Sequence, residues 1–503
     1  MSEAAARADI AAIAKGGRTN LLGFPLRLLA RIPFLFIAGR LYGDVALGRF
    51  ASALVIIEFL GLLSSLGQKR GLARRLTEGD QPPANAVADA MLLTLIAGSC
   101  FAGALFLFPT PMFPSGVYSR YDLLLPLAIL PLALTDIALA ALAYRFDIAT
   151  TVRARSVIEP WTLSIAAGVF FIVMPKGEGG LALAFILSTL TAAIAALVPL
   201  LRSYGLPKNW RPNPLRLYAL ARANFPLAVA EGIEWGSRRL DIAILGLFAS
   251  PAAVGIYYVA QQVASLPQKL RTSFEPILGP VITRSLKDHN YKAIAVQVCQ
   301  VGFWITAAQT GIALALGIPG EGVMGLIGPA FVGGTGALAV LLAAEVVAAT
   351  AVVSEAALIY VARMRNLMVS VATIALQAGL TIGGMLLVDR LGLGQSYRAA
   401  AAAIALMLSL GVASLIKARL LSHCLGEPIN NWRWGLIYAV VPAVVVGWLA
   451  TQYLPEWAEL AFGIPAILIV YCWTIWNKGF GPEDRVLFRR NVAGEAPVTE
   501  RAP

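Results

Sequence analysis

Glu231, Glu234, Arg238, Arg239 and Asp241 crowd into the stretch EGIEWGSRRLD, inside the apolar run NFPLAVAEGIEWGSRRLDIAILGLF. Carboxylates and guanidiniums at this density either neutralise one another or hold a charged ligand in a water-filled space. At 100° per residue, Glu231, Glu234, Arg238 and Asp241 share an arc of about 80°, with Arg239 to one side. Glu234 and Arg238 are spaced for an ion pair one helical turn apart, and Asp241 is within reach of Arg238 or Arg239. Five charges in hydrocarbon cost roughly 12 to 17 kcal/mol on insertion scales, whereas the apolar residues of the run return about 3 to 6 kcal/mol. This helix cannot face lipid on all sides.

Arg27 and Arg31 stand four apart in FPLRLLARIPFLF with no acid within a helical turn. Arginines facing an interior need an anion, and guanidinium matches phosphate oxygens two at a time. Further along, Gln261, Ser265, Gln268, Thr272 and Glu275 align on one helical face flanked by Lys269 and Arg271. The candidate binding residues for an anionic substrate are therefore Arg27, Arg31, Arg238, Arg239, Lys269 and Arg271. Glu58, Glu231, Glu234 and Asp241 are the candidate gating or coupling acids. Glu58, Asp136, Glu159, Glu345 and Glu355 are isolated acids in or near apolar runs, each better read as half of a structural pair than as a transport group. No catalytic set is visible: P-loop, GxSxG and HExxH patterns are missing. Four scattered cysteines and two histidines, His289 and His423, support neither disulfide, metal nor cofactor.

The elements that must position these groups follow from composition. The 503 residues are 58% hydrophobic and 14% charged, where soluble proteins carry about 25% charged residues. Apolar runs of about 20 residues recur throughout, which predicts an all-α polytopic membrane protein of about 14 transmembrane helices. Spans one to six occupy residues 21–205 and spans seven to twelve residues 224–420, joined by a linker at 206–223. Two more spans fill 434–477, between tails at 1–20 and 478–503. With both termini cytoplasmic, inner segments hold about 28 Lys and Arg and outer loops about four. That asymmetry accounts for most of the net charge of +12, and scattered basic residues without interleaved aromatics argue against nucleic acid.

The chain also reads as duplicated. At a shift of 207 residues Ala46 falls on Ala253, Gly48 on Gly255, Phe50 on Tyr257 and Arg31 on Arg238. Six spans per half preserve orientation, so the halves form two parallel six-helix lobes around a central cavity, with two added C-terminal helices.

Two stretches carry a resemblance to a known family. GRLYGDVALGRFASALVIIEFLGLLSSLGQKRGLARRL and LDIAILGLFASPAAVGIYYVAQQVASLPQKLRTSFEPILGP resemble the two signatures of Wzx-type polysaccharide and O-antigen flippases. These belong to the multidrug, oligosaccharidyl-lipid and polysaccharide exporter (MOP) superfamily, which also holds the lipid II flippases. The resemblance implies a bacterial inner-membrane transporter, not an enzyme, that moves an undecaprenyl-pyrophosphate-linked oligosaccharide from the inner to the outer leaflet. It also implies a polysaccharide polymerase and a chain-length regulator as candidate partners. By helix and depth it assigns cationic-cavity roles to Arg27, Arg31, Arg49 and Arg271; Arg49, near an outer end, is equally placed to anchor at the interface. The competing readings are a cation-exporting multidrug transporter of the same superfamily and an integral-membrane glycosyltransferase or polymerase.

Overall fold

The computed structural model describes residues 32–79, 81–174, 178–271, 282–481 and 484–485. Arg27 and Arg31 lie outside the described residues, as do Thr272 and Glu275. Among the described residues there is no strand. The first half contains α1 (Ile32–Ile37), α2 (Gly43–Ser64), α3 (Gln68–Glu78), α4 (Pro83–Leu107), α5 (Ile129–Tyr144), α6 (Glu159–Val173) and α7 (Gly180–Tyr204). The second contains α8 (Pro214–Phe248), α9 (Pro251–Arg271), α10 (Tyr291–Gly317), α11 (Gly320–Ile327), α12 (Thr335–Val361), α13 (Arg363–Arg390) and α14 (Gln395–Leu425). A hairpin of α15 (Trp434–Tyr453) and α16 (Ile464–Thr474) follows.

Eleven helical stretches among the described residues are long and apolar enough to cross a membrane. The exceptions among the long helices are α8, interrupted by the charged stretch, and α9, diluted by Gln261, Gln262 and Gln268. Local chemistry sets the ends. Asn213 caps α8 with Pro214 as its first residue, where a missing N–H costs nothing. Asn290 caps α10. Gly67, at φ 72°, turns the chain sharply between α2 and α3, a conformation only glycine adopts without steric cost.

The duplication is visible in three dimensions. A short 3-10 segment, Asp122–Ala128, leads into α5, and another, Pro329–Gly334, leads into α12; their first residues are again 207 apart. At the crossing of α2 and α9, a Cβ on Gly48 would lie 1.6 Å from the Pro251 carbonyl oxygen, and one on Gly255 would lie 2.1 Å from that of Asp44. Asp44 and Pro251 are themselves repeat-related, so the contact maps onto itself when the halves are exchanged, as at a two-fold axis. Small residues let helices approach closely where lipid offers no hydrophobic drive. One apolar core runs through this crossing, from Leu47 and Phe50 on α2 to Val254 and Tyr257 on α9, and on to Leu338 and Leu341 of α12. The C-terminal hairpin packs on α10, where Tyr471 Oη donates to the Ala307 carbonyl at 2.7 Å. Asp484 fastens it there, accepting from Trp304 Nε1 at 2.9 Å and pairing with Arg433.

Candidate functional site

The charged stretch of α8 lies in the seam between the lobes, and its charges divide between two neighbours. In the last third of the helix, Arg239 Nη1 donates to Gln261 Oε1 of α9 at 3.2 Å, and its Nε stands 3.7 Å from Glu58 Oε2 of α2. Asp241 is fully buried. It takes its hydrogen bonds from Tyr257 Oη at 2.6 Å and Gln261 Nε2 at 2.8 Å, and not from the arginines that its spacing suggested. Beside this network the Phe59 and Trp235 rings join α2 to α8 with centroids 4.7 Å apart.

Shifting this network by 207 gives it a meaning. Arg239, Asp241, Tyr257 and Gln261 fall on Ile32, Phe34, Phe50 and Leu54. In the first lobe Phe34 and Phe50 meet edge to face at 6.0 Å, within the apolar core. The same fold is thus built once with apolar contacts and once with a buried polar network. The fold does not require the polarity, so the second lobe carries it for another reason.

At the middle of α8, Arg70 of α3 crosses the seam. Its Nη2 donates to Glu234 Oε2 at 2.8 Å and its Nε lies 3.3 Å from Glu231 Oε1. Glu234 Oε1 also accepts from Arg238 Nη2 at 3.3 Å, the intrahelical pair that the spacing predicts. On the other side Lys69 reaches Asp136 Oδ2 of α5 at 3.4 Å. Arg155 joins the same carboxylate and pairs with Glu159 at 2.8 Å. Glu234 and Arg238 remain about half-exposed at the centre of a span, and exposed charge at that depth belongs against water rather than lipid. The single stripe of acids and arginines is therefore two sites: Asp241 and Arg239 face α9 and α2, whereas Glu231 and Glu234 face α3.

The isolated acids have partners: Asp136 and Glu159 with Arg155, Glu58 with Arg239, and Glu355 with Lys417 at 3.0 Å. Arg49 is not left to anchor at the interface, because it pairs with Asp122 at 3.2 Å. Lys269 and Arg271 end α9, and Gln261, of the polar face predicted there, joins the network. Sequence reasoning missed Lys69, Arg70, Tyr257 and Asp89. In the sequence Lys69 and Arg70 are two among many basic residues that follow apolar runs, and Tyr257 stands as the repeat match of Phe50. Asp89, fully buried on α4, accepts from Trp210 Nε1 and Arg216 Nη2, each at 2.9 Å, and pairs with Arg75. It ties the linker and the first turn of α8 to the first lobe.

A family model of polysaccharide biosynthesis proteins matches residues 37–306, more than half of the chain and both halves of the seam. The chain belongs to that family. No curated protein sequence matches it. Among solved structures, the lipid II flippase MurJ in an inward-closed conformation superposes with a TM-score of 0.66 at 12% identity, covering 90% of this chain and 98% of that one. A MATE-family multidrug resistance transporter of the MOP superfamily, inward-facing, gives 0.63 at 16% identity, covering 80% and 95%. A MOP-superfamily transporter from Pyrococcus furiosus, whose reversed pocket polarity suggests a different function, gives 0.54 at 15%, covering 84% and 96%. At these identities the likeness is one of fold: a multi-pass, all-helical MOP-type architecture.

Proposed function

We propose that this polysaccharide biosynthesis protein is a flippase for an undecaprenyl-pyrophosphate-linked oligosaccharide. It moves the cargo from the inner to the outer leaflet of the bacterial inner membrane, for use by a polymerase and chain-length regulator. The lobes part alternately on each side of the membrane, with the seam of α2, α3, α8 and α9 as the path. The observation that carries the reading is the polar network at Arg239, Asp241, Tyr257 and Gln261, set where the repeat-equivalent positions of the first lobe are apolar. Arg238 and Arg239, with the sequence candidates Arg27, Arg31, Lys269 and Arg271, are the guanidinium and ammonium groups suited to a diphosphate. When the cargo is absent Glu58 holds Arg239, Glu234 holds Arg238 and Glu231 holds Arg70, while Asp241 fixes Gln261 beside Arg239.

Deleting the gene and extracting lipids tests it directly. The expected result is a lipid-linked oligosaccharide accumulating on the inner leaflet and loss of the corresponding surface polysaccharide, both reversed by the intact gene. Unchanged lipid-linked sugars together with heightened sensitivity to cationic drugs would instead assign the chain to the cation-exporting branch.

A further inference from the structure

The corner where α2 turns into α3 is the tightest contact between the lobes near the start of α8. Gly67 makes the turn, and a Cβ on it would lie 2.4 Å from the Asn224 carbonyl oxygen and 2.8 Å from the Ala228 nitrogen. Gly71, one turn into α3, leaves room for the Asn224 side chain, whose Oδ1 would lie 2.1 Å from an added Cβ. The two helices leave no room for even a methyl group between them at this point. The charges that bridge it are poorly matched. Arg70 serves two carboxylates at once. Glu231 is buried, yet neither of its oxygens has a hydrogen-bond partner and its contact with Arg70 is an undirected 3.3 Å approach. A buried carboxylate held by charge alone is a costly partner, whereas a phosphate offers a guanidinium two parallel hydrogen bonds.

We propose that Lys69 and Arg70 form a phosphate-binding corner of the path, closed in the absence of cargo by Glu231 and Glu234. The proposal rests on the anionic-cargo reading above. The diphosphate takes Arg70 from the two glutamates and draws Lys69, held at rest 3.4 Å from Asp136, to its other side. The displaced carboxylates then repel the bound anion across the seam, and α3 separates from α8. Cargo binding and opening of this contact are thus one event.

The test uses full-length protein in inside-out membrane vesicles, with Cys100, Cys299, Cys424 and Cys472 replaced by Ser and Ala228→Cys added. Ala228 is buried against the Gly67 turn, so its labelling by an impermeant maleimide reports separation of the seam. Farnesyl pyrophosphate is expected to raise the labelling rate about tenfold, a coupling of ordinary size between two linked sites. Arg70→Gln is expected to raise the resting rate and remove the response. Glu231→Gln with Glu234→Gln should raise the resting rate and lower the concentration of pyrophosphate needed. Arg70→Glu combined with Glu231→Arg should restore slow resting labelling without any response, which shows that the variants are folded. An equal response to inorganic pyrophosphate supports the site and identifies the phosphates alone as its ligand; a response to the prenyl compound only supports it with the lipid tail required. A response that survives Arg70→Gln, or none in the parent, overturns the proposal. In either case the lipid accumulation caused by gene deletion still decides the anionic-cargo reading by itself.

Discussion

Asp241 and Tyr257 occupy the places that Phe34 and Phe50 hold in the other half of the molecule, and this substitution of a buried acid for a ring separates stability from function. Replacing buried charged groups by well-packed apolar ones of similar volume is often neutral or stabilising by about 1 to 4 kcal/mol, and Asp241 Oδ1 is buried without a hydrogen-bond partner. Restoring the first-lobe pattern with Asp241→Phe, Tyr257→Phe and Gln261→Leu together should therefore leave the melting temperature in detergent unchanged or raised, while surface polysaccharide is lost. The single change Tyr257→Phe behaves differently. It removes one of two donors from a fully buried carboxylate and should cost about 1 to 3 kcal/mol in denaturant unfolding. If the triple variant unfolds more readily than the single one, the network is a structural element and the transport reading loses its main support. Arg239 offers a second measure, because Ala removes the charge while Lys keeps it without the planar fork. Export should vanish with Arg239→Ala and persist in part with Arg239→Lys, at equal membrane levels of both variants.

Helix pairs were legible in the sequence to the extent that their chemistry is local. The apolar runs themselves mark the helices, because burial acts within a few residues, but residues 214–223, expected in the linker, are the first turns of α8 behind its Asn213 cap. The shift of 207 was legible through Gly48 and Gly255, and those glycines are the crossing of α2 and α9. Partners across the seam were not legible, since Arg70 and Glu234 are separated by 164 residues and no periodicity within one helix reports them. Asp89 was hidden for the same reason: its donors come from α3 and from the linker. Two expectations follow for these pairs. A methyl at Gly48 has no space beside the Pro251 carbonyl, so Gly48→Ala should lower stability by at least the ~1 to 3 kcal/mol typical of overpacking, read as a fall in melting temperature. Asp89→Ala strands three donors around a buried position and should cost about 3 to 5 kcal/mol. It should also free the linker, read as faster proteolysis within residues 206–213.

The molecule as a whole is two related lobes joined along a polar seam, with a hairpin packed on α10 of the second lobe. Its orientation in the membrane governs which end of the seam meets cargo first. The basic residues Lys69, Arg70, Arg74 and Arg75 of α3, the linker between α7 and α8, and the turn at Arg363 and Arg365 all follow spans that run in the same direction, so the even spacing of spans puts them on one side. Short loops rich in Lys and Arg resist translocation, which predicts that this side is cytoplasmic. The opposite turns, around residues 108–121 and 318–334, are poor in basic residues. Reporter fusions after residue 70, after residue 150 and at the C-terminus should all report cytoplasm, and fusions near residues 115 and 325 should report the outer side. The cytoplasmic assignment also places the Arg70 contact at the inner mouth of the seam and the Gly48–Gly255 crossing toward the outer one. A lipid-linked sugar made on the inner leaflet would therefore meet the ion pairs before it meets the close-packed glycines. An inverted report at either loop would reverse that order, and the cargo would then have to enter through the crossing that has no room for a methyl group.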